Sequence, residues 1–237
     1  MQNCTSRSDF VLQFVNILYV NGYFSAQLVN SPPRVSGRQR LIDATLTSLG
    51  EHGYHRSSLR TIADIAGVTA GLVKHHFQGK DALMLEAYRH FRNSLLENCL
   101  DAADQAGADP VKRLEALARS LLLLNPSHAG TMRIWAGFVD LVITDPAAAA
   151  VQATNRQRHV REIRGCVTGI YAARGERLSP DAAQRLALGV NSAIDGVWLE
   201  CGLNPSVATP EEALAIALDM IGGRLGVSFS NGAQNGA

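Results

Sequence analysis

The sequence has little of what marks an enzyme, a secreted scaffold or a membrane protein. Aromatic residues make up only 6% of its 237 positions and charged residues 18%. There are four cysteines, Cys4, Cys99, Cys166 and Cys201, far apart and without the Cys-x-x-Cys or Cys/His spacing of a metal site. A disulfide framework would need denser pairs, so these read as buried small hydrophobes in the reducing cytoplasm. No apolar run reaches the roughly 18–20 residues needed to cross a bilayer, so no membrane is expected as a partner. The stretch from Phe10 to Phe24 is apolar, but Gln13, Asn16 and Asn21 interrupt it. Arg7 is offset by Asp9, which removes the basic start of a secretory signal. Neither HExxH, GxSxG, a P-loop nor a carboxylate pair occurs, and Asp140 and His159 stand alone. No catalytic residue, metal or cofactor is therefore expected. A large excess of one charge is missing too, the formal net charge being +1.

What is present is helical periodicity. Residues 1–33 read as a poorly ordered N-terminal extension, closed by the structure-breaking Ser31-Pro32-Pro33. From Arg34 onward nearly every segment repeats its apolar residues every three to four positions. Leu41, Ile42, Leu46 and Leu49 form one stripe, stopped by Gly50 and Gly53. Ser58 caps a short helix through Ala66, and a second short helix spans about Ala70 to His76. A long helix from Lys80 follows, then one after Pro110 and another from His128 to Ile143. Asp145-Pro146, Ser179-Pro180 and the capping box Thr209 to Glu212 each predict a further helix start. With no strand pattern, the expectation is an all-α chain of about nine helices. Its domains are a DNA-binding segment at 34–80, a larger helical domain at 81–226 and a flexible tail at 227–237.

Charge is unevenly distributed. Residues 34–80 hold seven basic side chains, Arg34, Arg38, Arg40, Arg56, Arg60, Lys74 and Lys80, against Asp43, Glu51 and Asp64. That segment carries +4 and the rest of the chain, with fifteen basic and eighteen acidic residues, −3. A basic patch beside two short helices is the electrostatic footprint of a duplex binder. The turn Gly67-Val68-Thr69 joins those helices with the tightness a helix-turn-helix needs, and Thr69 is placed to cap the second one. Within this segment Ile62-Ala63-Asp64-Ile65-Ala66-Gly67-Val68-Thr69 and His75-His76-Phe77-Gln78-Gly79-Lys80-Asp81-Ala82-Leu83 resemble the DNA-binding domain of TetR-family repressors. Gly50-Glu51-His52-Gly53-Tyr54 matches the family's first-helix ending.

That resemblance implies a repressor with an N-terminal three-helix DNA-binding domain and a C-terminal helical domain for ligand binding and dimerisation. It implies that Arg60, Thr69, Ala70, Leu72, Lys74, His75 and His76 face the major groove of a double-stranded operator. Arg60 and Lys74 are suited to guanine edges and Leu72 to a thymine methyl. Lys80, with Arg34 and Arg38, would neutralise phosphates, while Tyr54, Phe77 and Leu83 would belong to the core. Leu72-Val73-Lys74 stands where many members carry Thr-Leu-Tyr, so the family's tyrosine phosphate contact is replaced.

Further along, Gly71 to Asp81, Trp135 with Phe138, and Ile194-Asp195-Gly196-Val197-Trp198-Leu199 resemble the BetI-like branch. That branch implies a choline-type effector and control of betaine synthesis genes. A quaternary ammonium is held by aromatic faces and a carboxylate. Trp135, Phe138, Tyr171 and Trp198 are the candidate faces, and Asp140 and Asp195 the candidate charges. A polyamine, acyl compound or xenobiotic remains an alternative effector. Two wide stripes, Leu186-Val190-Ala193-Ile194-Val197-Cys201 and Leu214-Ala217-Leu218-Ile221, predict a four-helix interface between two copies, which a palindromic operator would match.

Overall fold

The computed structural model describes residues 36–123 and 128–229; the expected extension at 1–33 lies outside them. Among the described residues there are nine α-helices and no strand. They are α1 (Gly37–His52), α2 (Leu59–Ala66), α3 (Ala70–His76), α4 (Lys80–Gln105) and α5 (Pro110–Leu122). Then come α6 (His128–Thr144), α7 (Pro146–Ala172), α8 (Pro180–Leu203) and α9 (Pro210–Leu225). A 3-10 turn, Tyr54–Arg56, separates α1 from α2.

Polar caps set most of the starts. Ser36, Ser58, Asp109, Asp145 and Ser179 each accept from first-turn backbone N–H groups, which have no partner inside the helix. Proline opens α5, α7, α8 and α9, where a missing N–H costs nothing. Thr209 and Glu212 close the reciprocal capping box of α9. Hydrogen bonds from Thr209, its backbone N–H first, hold the Glu212 carboxyl below its ordinary range. That stabilisation is present above the ordinary carboxylate pKa and is lost as pH falls through the folded one. Thr69 departs from expectation: it is the residue before α3, but its side chain makes no capping hydrogen bond.

The chain divides into two compact units, one ending at Ser94 and the other beginning at Leu95. The division falls inside α4 rather than at Lys80. The buried Leu83, Met84, Ala87, Tyr88 and Phe91 of that helix all belong to the first unit. There, α1 packs against α2 and α3, burying Leu41, Ile42, Leu46, Leu49, Ile62, Val73 and Phe77. Two buried serines of this core are satisfied. Ser48 donates to Ser57 Oγ at 2.8 Å and Ser57 to the Gly53 carbonyl at 2.8 Å. Asp43 accepts from Gln39 at 2.8 Å, yet burial pushes its carboxyl above the ordinary range despite that bond and the nearby His90.

In the second unit α5, α7, α8 and α9 enclose a core that includes Leu114, Leu117, Leu122, Ile163, Val167, Ala187 and Ile194. The helix α6 packs across α7 and α8, and the chain bends by 114° between α6 and α7. This packing corrects the expected interface. Leu186, Val190 and Ile194 on α8 and Leu214, Ala217, Leu218 and Ile221 on α9 lie in the core of one chain, with Ala193 and Val197 packed against it. Cys201 is likewise buried. The stripes are wide because α5 and α7 cover them in addition to the α8–α9 contact.

An ion network braces this unit. Arg113 reaches Glu162 at 2.5 Å, Asp104 at 2.8 Å and the Gly107 carbonyl at 3.3 Å, joining the end of α4 to α5 and α7. Cys99, Cys166 and Cys201 are buried and form no disulfide, as the sequence suggested, and burial pushes the Cys166 thiol up to about 11. Cys4 lies outside the described residues. The tail expected at 227–237 is tied down at its start. Gly226, at φ 64°, turns the chain so that the Val227 N–H donates to the Gly222 carbonyl at 3.1 Å. Val227 and Phe229 then pack on the core, and Arg174 donates to the Leu225 carbonyl at 2.8 Å. Apolar residues at alternate positions give that short segment a side to bury. No single described helix is long and apolar enough to cross a membrane.

Candidate nucleic-acid interface and effector site

The turn between α2 and α3 works because Gly67 takes the left-handed conformation, φ 63° and ψ 39°, closed to most side chains. Its N–H donates to the Asp64 carbonyl at 3.2 Å and that of Val68 to the Ala63 carbonyl at 3.0 Å, ending α2. The turn brings α2 and α3 into contact. Val73 and Phe77 point inward, at 1% and 5% exposure. On a helix, residues three and four apart share a face, so with Val73 and Phe77 inward Lys74 and His75 are turned outward. Of the residues expected to face the groove, Arg60, Thr69, Lys74 and His75 are exposed. Ala70 begins the same helix.

Other residues on the expected contact list also touch neighbouring side chains or backbone of this unit. Leu72 and His76 are half-buried beside Gly37: a Cβ there would lie 3.1 Å from Leu72 Cδ2 and 3.2 Å from His76 Nε2. They share one stripe of α3 and sit on the start of α1, a contact invisible to local periodicity. His75 and His76 meet edge to face, their ring centres 5.0 Å apart. Lys80 is half-buried, with Nζ 4.6 Å from the ring centre of Tyr54. Tyr54, expected in the core, is 38% exposed and serves as the platform for that cation. Arg38, expected on phosphate, pairs with Glu86 and lies 5.3 Å from the Phe77 ring centre. Arg34 lies outside the described residues.

The second unit brings together part of the expected effector set. Trp135 of α6 and Trp198 of α8 stand edge to face, ring centres 5.8 Å apart and planes at 76°. Both are half-buried. Asp195 lies one turn before Trp198 on α8, and its carboxylate accepts from Asn191 at 2.6 Å. Asn191 is buried and went unnoticed in the sequence; its four-residue spacing to Asp195 was the available signal. Phe138, at 2% exposure, is core. Asp140 is exposed and sits about 140° around α6 from Trp135, on another face. Tyr171 is placed away from the tryptophans. It ends α7, which a short connection, 173–179, folds back onto the start of α8. Trp198 lies eighteen residues beyond Pro180, about 27 Å along the helix axis. Tyr171 instead faces Arg174, 5.8 Å from its ring centre.

A family model described as bacterial regulatory proteins, tetR family, matches residues 41–87. A second, described as BetI-type transcriptional repressor, C-terminal, matches residues 110–226. The HTH-type transcriptional regulator BetI of Serratia proteamaculans (strain 568) is 31% identical over 187 residues, 78% of this chain and 90% of that protein. The chain belongs to the TetR family, in its BetI-type branch.

Solved structures agree. A transcriptional regulator of Pseudomonas aeruginosa PAO1 superposes with a TM-score of 0.69 at 29% identity, covering 81% of this chain and 93% of that one. A transcriptional regulator of Saccharomonospora viridis, solved in complex with choline, shares the fold with a TM-score of 0.66 at 20% identity. The two proteins overlap over 78% of this chain and 94% of that one. This BetI-type chain is accordingly a ligand-responsive transcriptional repressor with a helix-turn-helix DNA-binding domain.

Proposed function

We propose that this repressor is a cytoplasmic homodimer with no enzymatic activity, and that it leaves a palindromic operator when a choline-type quaternary ammonium binds, controlling betaine synthesis genes. The observation that carries the effector assignment is the Trp135–Trp198 corner with Asp195 one turn away. A trimethylammonium head cannot donate a hydrogen bond, so two ring faces and one carboxylate are its complement. The choline bound to the Saccharomonospora neighbour supports the same chemistry. Asp195, held by Asn191, supplies the counter-charge that Asp140 cannot bring to this face.

For the dimer, the surface that offers itself is the outward side of α8 and α9. Gly189, Ser192 and Gly196 are exposed there and allow close helix approach. Leu203 at 62%, Ile216 at 45% and Met220 at 54% supply apolar area that a second copy would cover. Two heads so joined would meet half-sites one helical turn apart. The helix α4 starts in the DNA-binding unit and ends in the other, so it is the continuous element through which an effector can bias the heads. A 100-fold loss of operator affinity requires about 2.7 kcal/mol of differential effector binding between the two states.

Calorimetry with choline and with betaine aldehyde on the purified dimer tests the effector. Saturable heat with either supports the assignment. Silence with both would redirect it to a polyamine, acyl compound or xenobiotic acting on the same switch.

Two substitutions test the DNA face. Lys74→Ala should weaken operator binding by about 1–3 kcal/mol and relax preference at one base pair. Lys80→Ala should weaken all sequences alike and reduce the salt slope by about one phosphate contact. Wild-type binding curves from both variants would show that the assigned face does not touch DNA.

A further inference from the structure

Away from the tryptophan corner, α7 and α8 form an open groove of about 410 Å³. Its rim carries three arginines of α7, Arg156, Arg161 and Arg164, and its floor includes Val160 and Leu188. Gln184 of α8 lines it too and accepts from Arg164 at 3.4 Å. Among the described residues, no carboxylate lies within ion-pair distance of these three guanidinium groups.

What sets these three apart is that they line one groove together. Arg38, Arg89, Arg113 and Arg119 each have a carboxylate partner. The one acid among the groove arginines, Glu162, is turned away to Arg113. None of the positions four residues from Arg156, Arg161 or Arg164 holds an acid, and Arg161 is three residues from both Arg158 and Arg164. Like charges at that spacing oppose the helix that carries them. An anion bound from solution would relieve the repulsion.

We propose that this groove is a binding site for a small organic polyphosphate of about nucleotide size. The guanidinium fork matches phosphate oxygens two at a time. Arg156 and Arg164 are separated by about 12 Å along α7, so a single phosphate cannot engage all three cations, whereas an extended polyphosphate can. The volume falls within the roughly 300–1,000 Å³ of small-molecule sites. Val160 and Leu188 offer apolar surface, and Gln184 a hydrogen-bonding amide, to the organic part. The site is distinct in charge and place from the cation corner, so it would give the repressor a second, independent input.

The test is calorimetry on the full-length protein with ATP and with inorganic triphosphate as probes. ATP should bind saturably, and Arg161→Gln/Arg164→Gln should weaken it at least about tenfold, the scale of lost charged hydrogen bonds. All three arginines are exposed, so the variant should keep its helical melting profile. Lys74→Ala/Lys80→Ala should leave ATP affinity unchanged, and inorganic triphosphate should bind more weakly than ATP.

No saturable ATP binding, or equal binding by the arginine variant, would overturn the site. So would a loss confined to the lysine variant, which would place the anion on the DNA face. Sedimentation of the arginine variant at half the wild-type mass would overturn it as well, by assigning the groove to the contact between copies. Equal affinity for the two probes would reject the organic half of the ligand.

Discussion

In Trp198→Leu, choline affinity is expected to fall by about thirtyfold while operator binding by the effector-free protein stays at the wild-type level. Leucine keeps most of the packing of this half-buried residue on the core but has no aromatic face. The lost term is a cation–π contact, about 2 kcal/mol when partly desolvated. Asp195→Asn removes the charge while its side-chain oxygen can still accept from Asn191, so it isolates electrostatics from geometry. It should also weaken choline and make the remaining binding less sensitive to salt. Trp135 meets Trp198 edge-on, so the two tryptophan substitutions should not add. Calorimetry for choline and fluorescence anisotropy for a labelled operator read the two effects separately. Unchanged choline binding in both Trp198→Leu and Asp195→Asn would remove the corner as the effector site.

The second large effect is in the other unit. Ile62 of α2 is fully buried and helps hold the helix-turn-helix together. Ile62→Ala removes three methyl or methylene groups and leaves a cavity, a loss of about 2–5 kcal/mol. Operator binding should collapse at physiological temperature, because α3 loses the support that presents Lys74. Choline binding should survive, since the residues proposed to hold the effector lie in a unit with its own core. Amide hydrogen exchange would show protection lost from α1 to α3 and kept from α5 to α9. Uniform loss across both would mean that the chain unfolds as one cooperative body.

How much of this was legible follows from the range of each interaction. Helix starts were read correctly at Ser58, Asp145, Ser179 and Thr209 because a cap acts within three residues of itself. Thr69 failed as a side-chain cap although its residue type and place were right, because capping needs a side-chain rotamer that sequence does not specify. The basic patch could be counted, but not which of its cations also contact other side chains. Glu86 lies 48 residues from Arg38, and their pairing appears only once α1 and α4 share one unit. Lys80 and Tyr54 meet in the same way. In the effector domain, amphipathic stripes identified buried residues well and their partners badly. Periodicity reports that Leu186 and Leu218 are covered, but not whether the cover is α5 and α7 or a second chain.

The amino-acid order by itself determined the helices, their polarity, the left-handed turn at Gly67 and the family to which the chain belongs, all of which depend on residues close together in the chain. Tertiary structure alone decided that Trp135 and Trp198 meet while Tyr171 lies near the other end of α8, and that Arg38 pairs with Glu86. It also left the arginines of α7 without a carboxylate beside Leu188. Those outcomes depend on which helix faces are pressed together, and packing selects that arrangement from many that local propensity leaves equally open.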